Sequence, residues 1–147
     1  MQIESAHRDD YSRLIDVWEA SVRATHDFLT EPDIEALRPL ILEQYFDAVT
    51  LDCIRDSHGE IQGFSGTAGD QLEMLFIAPT HRGSGLGRAL CQHAVDRRLV
   101  TRVDVNEHNP QAIGFYQRLG FEVVGRSPVD GQGRPFPLLH MALTTTH

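Results

Sequence analysis

A strand, a glycine-rich turn and a helix follow one another in the middle of this chain, and that order limits what it can fold into. The apolar run Leu72–Ile77 is closed by Pro79, and the turn Arg82–Gly87 (RGSGLG) leads into the helical pattern of residues 88–94. Glycine lets the backbone turn tightly and brings N–H groups close to a ligand. A helix that begins at the turn adds unpaired N–H donors and the positive end of its dipole. The pattern predicts a phosphate-binding turn in a fold that mixes helices and strands.

The spacing of the glycines excludes two common nucleotide sites. A nucleoside-triphosphate loop places Lys and then Ser or Thr after its last glycine, whereas Arg88 and Ala89 follow Gly87 here. The dinucleotide fingerprint needs glycine at the position that Arg88 occupies. All 13 basic residues are arginine, so the chain has no lysine for Schiff-base or pyridoxal chemistry.

A second helix signal lies downstream of the turn. Asn109 is a good N-cap, and Pro110 suits a first helical turn. Gly120 fits the C-terminal end of the same helix. Between these limits, apolar residues recur at helical spacing; they are Ala112, Phe115, Tyr116 and Leu119.

The remaining pattern alternates helices and strands. We expect a helix from Asp9 or Asp10 to about Ala24, and a second helix that begins with a capping box at Thr30 and is kinked or split at Pro39. Apolar and β-branched runs predict the strands; these are residues 2–4, 49–55, 61–67, 72–77, 101–105, 121–126 and 137–143.

Together, Arg82-x-x-Gly85-x-Gly87 and Asn109-x-x-Ala112-x-x-Phe115-Tyr116-x-x-x-Gly120-Phe121 resemble the GNAT superfamily of acyl-CoA N-acyltransferases. Residues 25–29 and the tail around 125–130 and 137–140 are similar to the YjaB-type bacterial acetyltransferases. The resemblance covers nearly the whole chain and implies one domain, residues 1–147. It implies an α/β (α+β) fold, with a mixed, mostly antiparallel central sheet of about six to seven strands, splayed in the middle and flanked by about four helices.

The resemblance also assigns roles to residues. Tyr116 would be the general acid that protonates the departing thiolate. An amine must lose a proton before it attacks, and in the histone-acetylating branch a glutamate accepts it at the position that is Gln71 here. Glu73 would share a strand face with Gln71 and is the candidate base; an ordered-water relay is the alternative.

Acetyl-CoA is the implied co-substrate, and its expected binding residues come from both motifs and the strand before them: Leu75, Phe76, Ile77, Arg82, Gly83, Ser84, Gly85, Leu86, Gly87, Arg88, Asn106, Asn109, Ala112, Phe115 and Tyr116. The acceptor is expected to contact His26, Asp27, Phe28 and His140, and either histidine is also a candidate base. The histidines show no metal-ligand spacing, so we expect no metal.

The net charge of −8 argues against nucleic acid as a partner, because binding to phosphate backbones requires a basic face. No apolar run approaches the ~20 residues of a membrane helix, and the N-terminus lacks a signal-peptide pattern. With Cys53 and Cys91 interpreted as two buried thiols, we expect a cytoplasmic protein, a monomer or homodimer, without a membrane partner. Five arginines are attributed to a polyanionic cofactor: Arg82, Arg88, Arg97, Arg98 and Arg102.

Two functions follow from these expectations. The first is acetyl-CoA-dependent transfer of an acetyl group to a primary amine of a small molecule or protein, by direct attack in a ternary complex. The second is a non-catalytic module that senses acyl-CoA. Tyr116 favours the enzyme, whereas Gln71, which cannot act as a base, favours the sensor.

Overall fold

The computed structural model describes residues 2–25, 29–131 and 133–144. Within these ranges, seven strands form one sheet in the order β1-β2-β3-β4-β5-β7-β6, with four α-helices packed on it. The strands are β1 (Ile3–Ser5), β2 (Thr50–Arg55), β3 (Ile61–Ala68), β4 (Gln71–Ile77), β5 (Arg102–Asn106), β6 (Phe121–Ser127) and β7 (Leu138–Leu143). The helices are α1 (Tyr11–Thr25), α2 (Glu31–Leu40), α3 (Leu86–Arg98) and α4 (Pro110–Arg118). The expected fold class is confirmed.

The first helix starts differently from the prediction. A short 3₁₀ turn, Arg8–Asp10, precedes α1, and the Asp10 carboxylate accepts a hydrogen bond from the His7 N–H at 2.9 Å. The helix itself buries an apolar stripe against the sheet; its members are Leu14, Val17, Trp18 and Val22.

The capping box at the start of α2 is confirmed. The Thr30 N–H donates to Asp33 Oδ2 at 3.0 Å, and the Asp33 N–H donates to Thr30 Oγ1 at 3.3 Å. Proline lacks an N–H and cannot continue the hydrogen-bond ladder. The α-helix accordingly ends one residue after Pro39, and a π-helical turn, Ile41–Tyr45, continues the segment.

Each face of the sheet carries its own core. On one face, α1 and α2 cover a cluster that includes Phe46, Phe64 and Cys53. On the other, α3 and α4 cover a cluster that includes Cys91 and Tyr116. Both cysteines are buried free thiols, and burial raises the pKa of each to about 11, so neither is a reactive thiolate.

The sheet opens at its centre. Strands β4 and β5 run parallel and are paired only at Gln71–Arg102 and Leu72–Val103. Beyond these pairs β4 continues to Ile77 along β3, while β5 continues along β7. The two strands therefore diverge, and from residue 73 onward the edge of β4 that faces β5 has no strand partner in the described part of the chain.

A β-bulge lies where this opening begins. Gly66 of β3 pairs with Met74, but the next residue, Thr67, pairs with Leu72, so Glu73 is the extra residue of β4. The bulge breaks the regular alternation of side chains. In a regular strand, Leu72 and Met74 would point to the same face of the sheet. Because of the bulge, Leu72 and Leu75 pack in the core under α3 and α4, while Met74 packs in the core on the other face.

Two of the five arginines attributed to the cofactor are bound to carboxylates instead. Arg98 donates to both oxygens of buried Asp52, at 2.9 and 2.8 Å, and so ties the end of α3 to β2. Arg102 donates to Asp70 at 3.1 and 2.8 Å. The attribution is wrong for these two because distant residues neutralise them in the fold.

Candidate active site

The glycine-rich turn presents the N-terminus of α3 to solvent. Gly83 and Gly85 have φ values of +73° and +88°, which residues with side chains rarely adopt. Gly85 is the N-cap of α3 and has no side chain to cap it. The first-turn N–H groups of an α-helix have no intrahelical acceptor, so those of Leu86–Arg88 remain as donors for an anion.

Two N–H groups of the turn already donate to carbonyls of the preceding residues. The Arg82 N–H donates to the Pro79 carbonyl at 3.4 Å, and the Ser84 N–H donates to the His81 carbonyl at 3.3 Å. The Ser84 hydroxyl donates to the same His81 carbonyl. Both donors of Ser84 therefore face the His81 carbonyl, and its contact with the cofactor stays a prediction.

A cleft of about 610 Å³ lies between the start of α3 and the outer face of α4. The guanidinium-bearing residues Arg82, Arg88 and Arg118 line it, and none of the three forms an ion pair with a residue that the structure describes. Arginine presents several N–H donors in a planar fork that matches phosphate oxygens. The cleft can therefore hold a polyanion such as the pyrophosphate of coenzyme A.

The sequence motifs did not indicate Arg118. It lies on the face of α4 that also carries Gln111 and Gly114, three and four residues apart, and all three line the cleft. Its position four residues after Gly114 places Arg118 on the same face of the helix, and this spacing could have indicated it from the sequence.

A smaller cavity of about 220 Å³ continues from this cleft towards β4. A Cβ at Gly87 would lie 3.5 Å from the Phe115 ring and 3.7 Å from Ile77, so α3, α4 and β4 meet here. Asn109 caps α4 as predicted, accepting a hydrogen bond from the Ala112 N–H at 3.1 Å. The structure brings together these expected cofactor residues around the cavity: Leu75, Phe76, Ile77, Arg82, Gly87, Asn109, Ala112, Phe115 and Tyr116.

Tyr116 is buried at the inner end of the site. Its ring lies between Phe115 and Phe121, with centroid distances of 5.1 and 5.7 Å. Its hydroxyl makes no hydrogen bond to any residue within the described ranges. Burial first, and then the nearby Cys91, raises the pKa of Tyr116 far above its ordinary value, so the phenol retains its proton at neutral pH.

Two carboxylates face the gap between β4 and β5. Glu73 and Asp104 line a cavity of about 170 Å³ together with Asn106, Asn109 and Tyr116. Burial, reinforced by the negative charge of Asp104, raises the pKa of Glu73 above its ordinary value. A carboxylate with a raised pKa can accept a proton, and a neutral phenol can donate one. The residues that line this cavity therefore include both a possible base and a possible acid.

Asp104 was not predicted, and it joins a predicted residue. The His140 Nδ1 lies 2.7 Å from Asp104 Oδ1, and the His140 Nε2 lies 2.6 Å from Ser127 Oγ. The Gln71 amide donates to Asp104 Oδ2 at 3.0 Å. The register of β5 and β7, which pairs Asp104 with His140, assembles this network. The other expected acceptor residues, His26, Asp27 and Phe28, lie outside the described residues.

The described ranges contain neither a metal-binding cluster nor a membrane-spanning helix. No group of three or more His, Cys, Asp or Glu side chains there is placed to hold a metal ion. No helix in the same ranges is both long and apolar enough to span a membrane.

The divergent sheet, the uncapped helix N-terminus and the buried tyrosine define an acyl-CoA transferase site. Residues 49–123 match the family model of the acetyltransferase (GNAT) domain. Peptidyl-lysine N-acetyltransferase YjaB of Salmonella typhimurium is 37% identical over 141 residues, which cover 96% of this chain and 97% of that protein. The chain therefore belongs to the GNAT acetyltransferase family, and it is an acetyl-CoA-dependent N-acetyltransferase.

Solved structures agree with this assignment. The solution structure of apo-form YjaB from Escherichia coli has a TM-score of 0.87 and 36% identity, covering 99% of this chain and 98% of that one. PaiA N-acetyltransferase from Thermoplasma acidophilum, solved in complex with coenzyme A, shares the fold with a TM-score of 0.74 at 19% identity, covering 98% and 100% of the two chains. The matched family model and the YjaB relatives named as N-acetyltransferases favour the enzyme over the sensor module.

Proposed function

We propose that this protein acetylates lysine side chains of proteins. The observation that carries the proposal is the cavity between β4 and β5, where Glu73 and Asp104 lie beside the buried Tyr116. A narrow cavity with two carboxylates suits an ammonium group at the end of a long, thin side chain. The relatives named as peptidyl-lysine N-acetyltransferases support the same acceptor.

The acetyl donor would enter from the opposite side of the sheet opening. Its pyrophosphate would lie on the N–H groups at the start of α3, with Arg82, Arg88 and Arg118 around it. Its thioester arm would follow the unpaired edge of β4, where Leu75 and Ile77 line the inner cavity. A free N–H on this edge would stabilise the oxyanion of the tetrahedral intermediate, a contribution of several kcal/mol where water is excluded.

The acid and the base would lie at the two sides of the reacting carbon. Glu73 takes a proton from the lysine ammonium, and the neutral nitrogen then attacks the thioester carbonyl carbon. The C–N bond forms, the C–S bond breaks, and Tyr116 donates its proton to the departing sulfur. The nitrogen of the intermediate releases a second proton, which restores Tyr116. Glu73 then loses the first proton to solvent, so each turnover releases one H⁺.

Mass spectrometry with a peptide that contains one lysine tests the proposed acceptor. The enzyme contains no lysine, so every acetyl-lysine that is detected belongs to the substrate. We expect acetylation with acetyl-CoA, and none of a matched peptide in which arginine replaces the lysine. Turnover of small amines alone, with no modified peptide, would refute the lysine acceptor.

Tyr116→Phe tests the proton donor. The substitution keeps the ring between Phe115 and Phe121 but removes the proton, so we expect kcat to fall by about 10²–10⁴-fold, with an unchanged acetyl-CoA Kd by calorimetry. Tyr11→Phe is the matched control, because its hydroxyl bonds Asp47 at 2.8 Å on the other face of the sheet. Full activity in folded Tyr116→Phe would leave Tyr116 with a packing role only.

A further inference from the structure

Asp104 lies in a row of polar residues that crosses three strands on one face of the sheet. Glu73 is on β4, Asp104 on β5 and His140 on β7, and Asp104 and His140 are paired in the ladder. Asp104 lines the cavity that also contains Glu73 and Tyr116. No motif residue of the acetyl-CoA site contacts its carboxylate through a hydrogen bond.

Two donors, His140 and Gln71, hold the Asp104 side chain directly, and a third, Ser127, acts through His140. A carboxylate only accepts, so His140 Nδ1 carries the proton that it donates to Asp104 Oδ1 at 2.7 Å. In neutral His140 the Nε2 is then an acceptor, and the Ser127 hydroxyl donates to it at 2.6 Å. Gln71 donates to the second oxygen, Oδ2, at 3.0 Å.

Glu73 differs from Asp104 in this respect. Its carboxylate makes no hydrogen bond to any residue in the described part of the chain. The positive charge of Arg102 opposes the rise in the pKa of Glu73, but Arg102 is itself hydrogen-bonded to Asp70. One carboxylate at the gap therefore accepts two hydrogen bonds, while the other accepts none from the described residues and can take a proton.

We propose that Asp104 binds the ammonium group of the acceptor and selects cationic amines, with His140 and Ser127 as positioning residues. This inference rests on the proposed lysine acceptor. A carboxylate accepts about four hydrogen bonds, so the two that Asp104 already accepts leave room for the ammonium. Because an ammonium group has three donors, it can contact Asp104 and Glu73 together. Asp104 then keeps the amine in place while Glu73 removes its proton.

The test compares a charged with a neutral nucleophile. The two probes are a peptide with a single lysine and the same peptide with an aminooxy group in place of the lysine amine, which is neutral at pH 7. In Asp104→Asn we expect KM for the lysine peptide to rise by about 10- to 100-fold, the range for a hydrogen bond to a charged group. We expect less than about a threefold change for the aminooxy peptide and none for acetyl-CoA. Equal changes for both peptides, or no change, would overturn the proposal.

His140 and Ser127 are tested by rescue. His140→Asn retains a donor near the position of Nδ1, whereas His140→Leu does not, so KM for the lysine peptide should be close to wild type in the first and raised in the second. Ser127→Ala should raise it less than His140→Leu, because it acts through His140. Asp96→Asn removes an exposed carboxylate on α3 and is the control for net charge. An equal KM in His140→Asn and His140→Leu would exclude positioning.

Failure of this proposal can be separated from failure of the proposed function. If the wild-type enzyme acetylates the lysine peptide but Asp104→Asn retains its KM, only the role of Asp104 is wrong. If the wild-type enzyme acetylates the aminooxy peptide and not the lysine peptide, both proposals are wrong.

Discussion

Glu73 and Tyr116 line one cavity, and the pKa of each is raised. The two pKa values start from different ordinary values, because one group is a carboxylic acid and the other a phenol. Burial raises the pKa of each group. At neutral pH the phenol therefore keeps its proton, while the carboxylate of Glu73, although on an exposed residue, is more basic than an ordinary glutamate because of partial desolvation and the charge of Asp104. The environment would thus give the proposed reaction one proton donor and one proton acceptor.

Glu73→Gln tests the base through pH. The pKa of Glu73 is raised and the group must be ionised to act, so the wild-type kcat/KM should fall as pH decreases through that raised pKa. The variant should be much less active at neutral pH and regain activity towards pH ~10, where the free amine is abundant. The measurement is kcat/KM for a lysine peptide across this pH range.

Two results would contradict that role of Glu73. An equal loss at every pH would indicate that the side chain binds or packs only. No loss at any pH would move the base to His140, His26 or an ordered water. Glu122→Gln, which removes an exposed carboxylate on β6, controls for the change in charge.

At the scale of elements, local sequence rules predicted what is local. The Thr30 capping box, the Asn109 cap and the positive φ of Gly120 follow from residue types a few positions apart. The bulge at Glu73 had no such signal. Residues 74–77 are all apolar, so the pattern contains no alternation whose interruption would indicate an extra residue.

Gly85→Val tests the start of α3 as the pyrophosphate site. A side chain at φ +88° is strained, and it would project into the space where the ligand is expected, since no described residue beyond its two chain neighbours lies within 4 Å of a Cβ there. We expect calorimetry to detect no acetyl-CoA binding. Gly69→Val is the matched control, because its φ is +59° and its Cβ position is equally open, but it lies in the β3–β4 turn. Similar losses of affinity in both variants would mean that the effect is strain alone.

At the scale of the molecule, contacts between distant parts of the chain were beyond sequence reasoning. Asp104 and His140 are 36 residues apart, and Asp52 and Arg98 are 46 apart. Neither pair has a local pattern, because the strand order and the packing of α3 bring the partners together. The family motifs led to the cofactor side of the site, while the acceptor side depends on this assembly.

The Asp52–Arg98 pair should stabilise the whole fold. Asp52 is 1% exposed, so Arg98→Met leaves a buried charge with only the His93 Nδ1 nearby, 3.8 Å from Asp52 Oδ2. We expect the free energy of unfolding to fall by about 3 kcal/mol, near the lower limit for a broken buried pair because Arg98 is partly exposed. Arg102→Met, which breaks the exposed pair with Asp70, should cost about 0–1 kcal/mol. Urea denaturation measures both, and equal losses would show that burial of Asp52 is not decisive.

The divergence of β4 and β5 also links the stability of the folded protein to ligand binding. Unpaired strand edges are normally covered or kept at the rim of a sheet, yet this one lies in the middle of the sheet, between its two halves. The amide-bearing arm of acetyl-CoA is the group expected to cover this edge. The bound cofactor would then hydrogen-bond to β4 in the place of a neighbouring strand. Because a ligand that binds only the native state stabilises it in proportion to the logarithm of its concentration, the lifetime of the folded enzyme would follow the supply of its own substrate.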